Sequence, residues 1–325
     1  MLFLAFTANL AAQTINDSIP EEYLRRTVEF LSSDKLGGRV NYSRGQLQAA
    51  AFIYAEFEKL KLTPYPGLGS FLHYFQSKQL STGENKSENK KVSWKSLAGD
   101  SIHLHADNLY NLVAVLPGKS IPGEAIIFSA HYDHIREFGG IYNGANDNAS
   151  GTAAVLALAQ YFALRNDNAR TLIFCLFAGE ELGLLGSKAF VEHVNPDSIV
   201  AVLNIEMIGL TNATGKNGFF VTGPGHSGVY DILKKNVKNT GSKFRVIALK
   251  NDRTNLYERS DNYPFALKGI PAHSIMCSDD DEACYHQPCD DFRHIKIENM
   301  TNVIRAIAIG ASTMISGIDT PERRK

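Results

Sequence analysis

Imidazole and carboxylate groups recur through this sequence at the ends of apolar runs, a pattern that suits metal-assisted hydrolysis. His131 and Asp133 close the run Ala125–Ala130, and Asp147 lies in the turn-rich stretch Asn143–Gly151. The adjacent acids Glu180 and Glu181 follow the run Thr171–Ala178. Glu206 lies near the end of Ile199–Ile208, and His286 follows Ile270–Met276 by a loop. Charged groups near a core need partners, so acid or imidazole at each successive run is hard to explain by packing. Imidazole nitrogen and carboxylate oxygen suit zinc. Five such ligands around two ions, one carboxylate bridging, leave positions open for water and for a substrate oxygen. Adjacent acids can then divide the work, one binding metal and the other taking a proton from the activated water.

These residues need elements to hold them. The apolar runs at 111–116, 125–130, 171–178, 199–208, 218–222, 244–249 and 270–276 read as strands. Helical patterns at 153–164, 186–194, 229–237, 264–268 and 298–315 alternate with them. That alternation predicts an α/β fold, a three-layer α/β/α sandwich around a mainly parallel mixed sheet. Ligands of such sheets bind beyond the carboxyl ends of the strands, where the five candidates fall. In an extended chain residues i and i+2 face the same way, so Asp133 can orient the His131 ring. His134 points the other way and is left outside the ligand set. Ser150 is expected to cap the helix after Asn143-Gly144, and Asp261 to cap a helix or support the site. Two helices between Pro20 and Leu62, interrupted at Gly37-Gly38-Arg39, are assigned to packing. His73, His103, His105, His193, His226, His273 and His294 lack a matching acid context.

Taken together, His131-Tyr132-Asp133, Gly144-Ala145-Asn146-Asp147-Asn148-Ala149-Ser150-Gly151, Glu180-Glu181-Leu182-Gly183, Asn204-Ile205-Glu206-Met207 and Tyr285-His286 resemble the motif set of the co-catalytic dinuclear-zinc exopeptidases. That superfamily includes secreted bacterial aminopeptidases, glutamate carboxypeptidases and the single-zinc glutaminyl cyclases. The resemblance covers nearly the whole chain from about Leu31. It implies that His131 and Glu206 hold one zinc, that Glu181 and His286 hold the other, and that Asp147 bridges them. It further implies Glu180 as general base, Tyr285 as the group polarising the scissile carbonyl, and Asp133 as the carboxylate behind His131. A cis peptide after Asp147 and a disulfide between Cys284 and Cys289 belong to the same expectation. Glu206 stands where many members carry Asp, and Asn262 departs from a family Ser-Asp-His triplet.

The chain has 325 residues, a net charge of -1 and 44% hydrophobic residues. It is read as a single zinc exopeptidase domain over 14–325, with an exposed Lys-, Glu- and Ser-rich excursion near 76–100. The charge balance gives no footprint for nucleic acid or an anionic membrane. The apolar stretch Leu2–Ala12 is too short to span a bilayer and reads as an export signal over 1–13, although the usual basic residues are missing. Peptides are the expected substrates, cleaved from the N-terminus. Glutaminyl cyclase chemistry, carboxypeptidase or dipeptidase specificity, and a non-catalytic binding module are the rival readings. Cys284 and Cys289 bracket a small loop that an exported protein could close. Cys175 is expected to be a buried thiol.

Overall fold

A computed structural model describes residues 19–76, 91–136, 139–249 and 252–324. The expected export signal lies outside these residues, as does most of the charged excursion. The strands are β1 (Thr63–Pro64), β2 (Leu72–Phe75), β3 (Lys91–Lys95), β4 (Ser101–His105), β5 (Leu109–Leu116), β6 (Ile121–His131), β7 (Arg170–Phe177), β8 (Ile199–Glu206), β9 (Gly218–Val221), β10 (Arg245–Ala248) and β11 (Ala272–Met276). The helices are α1 (Glu21–Leu31), α2 (Arg44–Lys59), α3 (Gly151–Arg165), α4 (Leu185–Val191), α5 (Val229–Asn239), α6 (Tyr263–Leu267) and α7 (Ile297–Ile315).

One sheet runs β1-β5-β7-β6-β8-β11-β9-β10, with β2 also paired to β5. Its centre, β7-β6-β8-β11, is parallel throughout, while the flanking pairs β5/β7 and β11/β9 are antiparallel. Both faces of the centre are covered, so its strands read as unbroken apolar runs. Alternate residues serve opposite layers. Leu112, Ala114, Leu172, Phe174 and Leu176 join the larger core under α1, α2, α3, α5 and α7. Val113, Val115, Ile173, Cys175 and Phe177 join a smaller one with Phe190 of α4 and Phe265 of α6. Cys175 is indeed a buried free thiol.

Several short elements escape a periodicity reading. β1, β2 and β4 are too short or too exposed to show an apolar run. β3 and β4 form a separate two-stranded sheet, anchored where Trp94 packs edge-on to Tyr54 of α2. The link between α1 and α2 is more than a break. Val40 makes a parallel bridge with His134, which stitches this link to the chain just beyond β6.

Candidate metal centre

Parallel order in the sheet decides where the site forms. β7, β6, β8 and β11 are neighbours pointing the same way, so their carboxyl ends lie side by side along one rim. His131 is the last residue of β6, paired opposite Phe177 of β7. Glu206 is the last residue of β8, paired opposite Met276 of β11. Glu180 and Glu181 follow β7, and His286 lies in the loop after β11. Sequence neighbours contribute little to this grouping; sheet order contributes most of it.

The donor atoms fall into groups that share Asp147. His131 Nε2 lies 3.3 Å from Asp147 Oδ1 and 3.2 Å from Glu206 Oε1. His286 Nε2 lies 3.1 Å from Asp147 Oδ2 and 3.3 Å from Glu181 Oε2. The two oxygens of Asp147 therefore face opposite imidazoles. Asp147 and Glu206 are buried, and His286 is about one-third exposed. Asp147 is followed by a cis peptide to Asn148. The residues His131, Asp147, Glu180, Glu181, Glu206 and Tyr285 all line one pocket, walled on its apolar side by Met207, Leu256 and Met276.

The electrostatics call for a cation. Burial opposes charge on His131, yet the Glu206 and Glu180 carboxylates carry its ring well above the usual imidazole range. Burial opposes charge on His286 too, but the adjacent Asp147 and Glu181 carboxylates lift it to about 10. Asp147 goes the other way: its burial is outweighed by His131 and His286, which hold it well below the ordinary carboxylate range. Glu180 is pushed well above its usual range by burial, with the nearby Glu181, Asp261 and Glu206 charges adding to that rise. At His131, His286 and Asp147 a proton on an imidazole compensates a buried carboxylate, and a metal ion can replace such protons. His286 Nε2 has two carboxylate oxygens near it but no properly directed hydrogen bond. Imidazole and carboxylate donors that converge in this way are what a cation between them requires. The oxygen and nitrogen donor set fits zinc.

Several expectations need correction. His134 is not turned away: β6 and its strict alternation end at His131, three residues before it. Its ring is buried, with Nδ1 2.9 Å from Glu181 Oε1 and 3.8 Å from Asp147 Oδ2. It joins Asp147, Glu181 and His286 in one cluster of potential ligands. Asp133 orients His131 mainly through its backbone, since His131 Nδ1 donates to the Asp133 carbonyl at 3.2 Å while the nearer carboxylate oxygen is 3.8 Å away. The Asp133 carboxylate instead accepts the Glu180 and Glu181 backbone N–H groups and the Asn41 amide. Ser150 does not cap α3; it is already helical, and the Asn148 side chain accepts the Gly151 N–H at 2.9 Å. Asp261 caps no helix either. It is fully buried, and burial pushes its carboxyl up to about 7. Asn262 ends a buried polar chain by accepting from Ser274 and donating to the Tyr257 carbonyl.

Supporting residues with no sequence signal come from the link after α1. Arg39 is fully buried, and burial lowers its guanidinium to about 10. It donates to the carbonyls of Leu31, Tyr132, Asn143 and Gly144, tying the end of β6 to the Asp147 loop. Asp290 does the same from the other side, accepting the Asn146 and Asp147 N–H groups at 2.8 and 3.0 Å. Cys284 and Cys289 are joined by a disulfide that closes the loop bearing Tyr285 and His286, whose rings stack at 4.0 Å.

The family model for peptidase family M28 matches residues 111–309, a span that takes in every one of these candidate ligands. The chain belongs to peptidase family M28. Aminopeptidase YwaD of Bacillus subtilis is 28% identical over 200 residues, covering 58% of this chain and 41% of that one. Among solved structures, BSAP, a zinc aminopeptidase from Bacillus subtilis, superposes with a TM-score of 0.70 at 16% identity, covering 92% of this chain and 96% of that one. Glutaminyl cyclase of Porphyromonas gingivalis superposes with a TM-score of 0.63 at 14% identity, covering 91% and 99%. The chain spans half or less of the length of the curated relatives it matches first. In this M28 chain the segment carrying Arg39 and Asn41 precedes the matched span, so part of the scaffold behind the site lies outside the region the family model describes.

Proposed function

We propose that this chain is an exported zinc-dependent aminopeptidase holding two ions. The observation that carries the proposal is the pair of ligand groups sharing Asp147, with Glu180 lining the same pocket. His131, Asp147 and Glu206 would hold one ion; Asp147, Glu181 and His286 would hold the other. When bound, the ions would supply positive charge to polarise a carbonyl and would lower the pKa of a water.

The chain's own residues supply the rest. Glu180 takes the proton of the attacking water and returns it to the leaving amine. Burial raises the Tyr285 phenol above its usual range, so it meets the substrate as a hydrogen-bond donor. Its place beside the pocket suits donation to the developing oxyanion. Met207, Leu256 and Met276 offer an apolar wall to the substrate. The Cys284–Cys289 bond supports an oxidising compartment. Among the described residues no helix is long and apolar enough to cross a membrane.

The test pairs aminoacyl-p-nitroanilides with N-terminally blocked peptides, with chelator and zinc add-back. Hydrolysis of the free-amine substrates alone, lost with chelator and restored by zinc, is expected. Glu180→Gln should lower turnover by about 100-fold to 10,000-fold with zinc content unchanged. Equal cleavage of blocked peptides, or near-normal turnover in Glu180→Gln, would remove this assignment.

A further inference from the structure

Each of the two candidate ligand glutamates, Glu206 and Glu181, has one oxygen taken by a protein donor and one facing an imidazole. Glu206 accepts the Ser260 hydroxyl on Oε2 at 2.8 Å, while Oε1 lies 3.2 Å from His131 Nε2. Glu181 meets His134 Nδ1 on Oε1 at 2.9 Å, while Oε2 lies 3.3 Å from His286 Nε2. Since a carboxylate only accepts, His134 must carry its proton on Nδ1.

Both donors are themselves fixed. Ser260 Oγ accepts from Asn204 Nδ2 at 2.8 Å, so its own hydrogen is free for Glu206 alone. The Asn204 amide is oriented in turn, because its Oδ1 accepts from Ser129 and its Nδ2 also donates to Ser274. The His134 ring is trapped by packing: a Cβ on Gly144 would come within 2.6 Å of it. Val40 pairs with the His134 backbone. Neither residue is free to follow a mobile carboxylate.

We propose that Ser260 and His134 are positioning residues that pin one oxygen of each glutamate, so that Glu206 and Glu181 each offer a single oxygen to a cation. The pins are independent, one for the His131 group and one for the His286 group. They give a physical account of how Glu206 is accommodated: its longer side chain is steadied at the far oxygen. Outer residues that orient ligands typically change metal affinity by about tenfold to a hundredfold when removed. Ser260→Ala should therefore weaken one ion and His134→Phe the other.

This inference rests on the two-ion assignment, and calorimetric zinc titration of the full chain separates the two. Wild type should take up two zinc ions. Ser260→Ala and His134→Phe should each weaken one uptake step by about tenfold to a hundredfold, and the double variant should weaken both. Ser260→Thr and His134→Gln, which keep a donor, should recover most of the affinity, and melting of the metal-free variants checks that each folds. A wild type that binds no zinc overturns the assignment and the pinning together. Two-ion uptake in wild type with unchanged titrations in both alanine and phenylalanine variants overturns the pinning alone, as does weakening that the donor-keeping variants fail to restore.

Discussion

Around His131 the candidate ligands come straight off the sheet, whereas around His286 they hang on a loop. His131 and Glu206 are terminal residues of neighbouring parallel strands, and both are buried. Register alone brings them together. His286 lies ten residues beyond the end of β11, about one-third exposed and with its backbone in the left-handed region. Its loop is held by the Cys284–Cys289 bond, by Asp290 and by local turns. One half of the centre thus shares the stability of the core, while the other depends on a few local restraints. Parts of a protein with few buried contacts open first, so the His286 group should be the first to lose its geometry.

Arg39 offers the hardest blow to the sheet-borne half. Replacing it with Met keeps the bulk but leaves the carbonyls of Leu31, Tyr132, Asn143 and Gly144 without that donor. Buried acceptors left unsatisfied cost about 1–3 kcal/mol each, partly relieved by relaxation, so a loss of about 3 kcal/mol or more is expected. Chemical denaturation of the metal-free protein measures it. A change below about 0.5 kcal/mol, the scale of an ordinary surface substitution, would show that the clamp is dispensable.

The loop-borne half should respond differently. Opening a disulfide this short, with a sequence separation of 5, should cost about 2 kcal/mol on loop-closure grounds. The cost should fall on the His286 group. In a chelator competition the double variant Cys284→Ser/Cys289→Ser should release one zinc faster and the other at the wild-type rate. Equal acceleration of both would erase the distinction between the halves.

The same contrast explains what could be read without a structure. The parallel sheet and the candidate ligands His131, Glu181 and Glu206 are legible because strand ends in an apolar pattern announce themselves. Asp147 and His286 show more weakly, one in a turn-rich stretch before a helix and the other in a loop after an apolar run, and the family resemblance adds their roles. Strand alternation misplaces His134 because the strand stops at His131. Ser150 was misjudged because Asn148, two residues earlier, takes the capping bond. Arg39 left no trace: a lone arginine after two glycines looks like a solvated turn, and only the converging carbonyls of three distant segments reveal its role.

The smallest effect is expected at an imidazole outside the centre, and it tests why charge at His131 is informative. His273 on β11 is fully buried like His131, but its hydrogen-bond partners are neutral and the nearby titratable group is another imidazole, His226: Nδ1 donates to the Thr222 carbonyl at 2.8 Å, and Nε2 accepts from Ser227 at 2.6 Å. Burial therefore dominates and lowers it to about 4, while carboxylates drive His131 upward. A depressed imidazole stabilises the fold above its unfolded pKa of about 6.5. That contribution is lost as pH falls from there towards about 4, because only the unfolded chain takes up the proton. By pH ~5.5 the loss from this group should be about 1 kcal/mol. His273→Asn lacks the titration, so its denaturation midpoint should fall less between pH ~7.5 and ~5.5 than that of the wild type, with zinc uptake unchanged. Parallel pH profiles for the two proteins would mean that His273 shares the carboxylate environment of the rim, and the contrast between buried imidazoles would disappear.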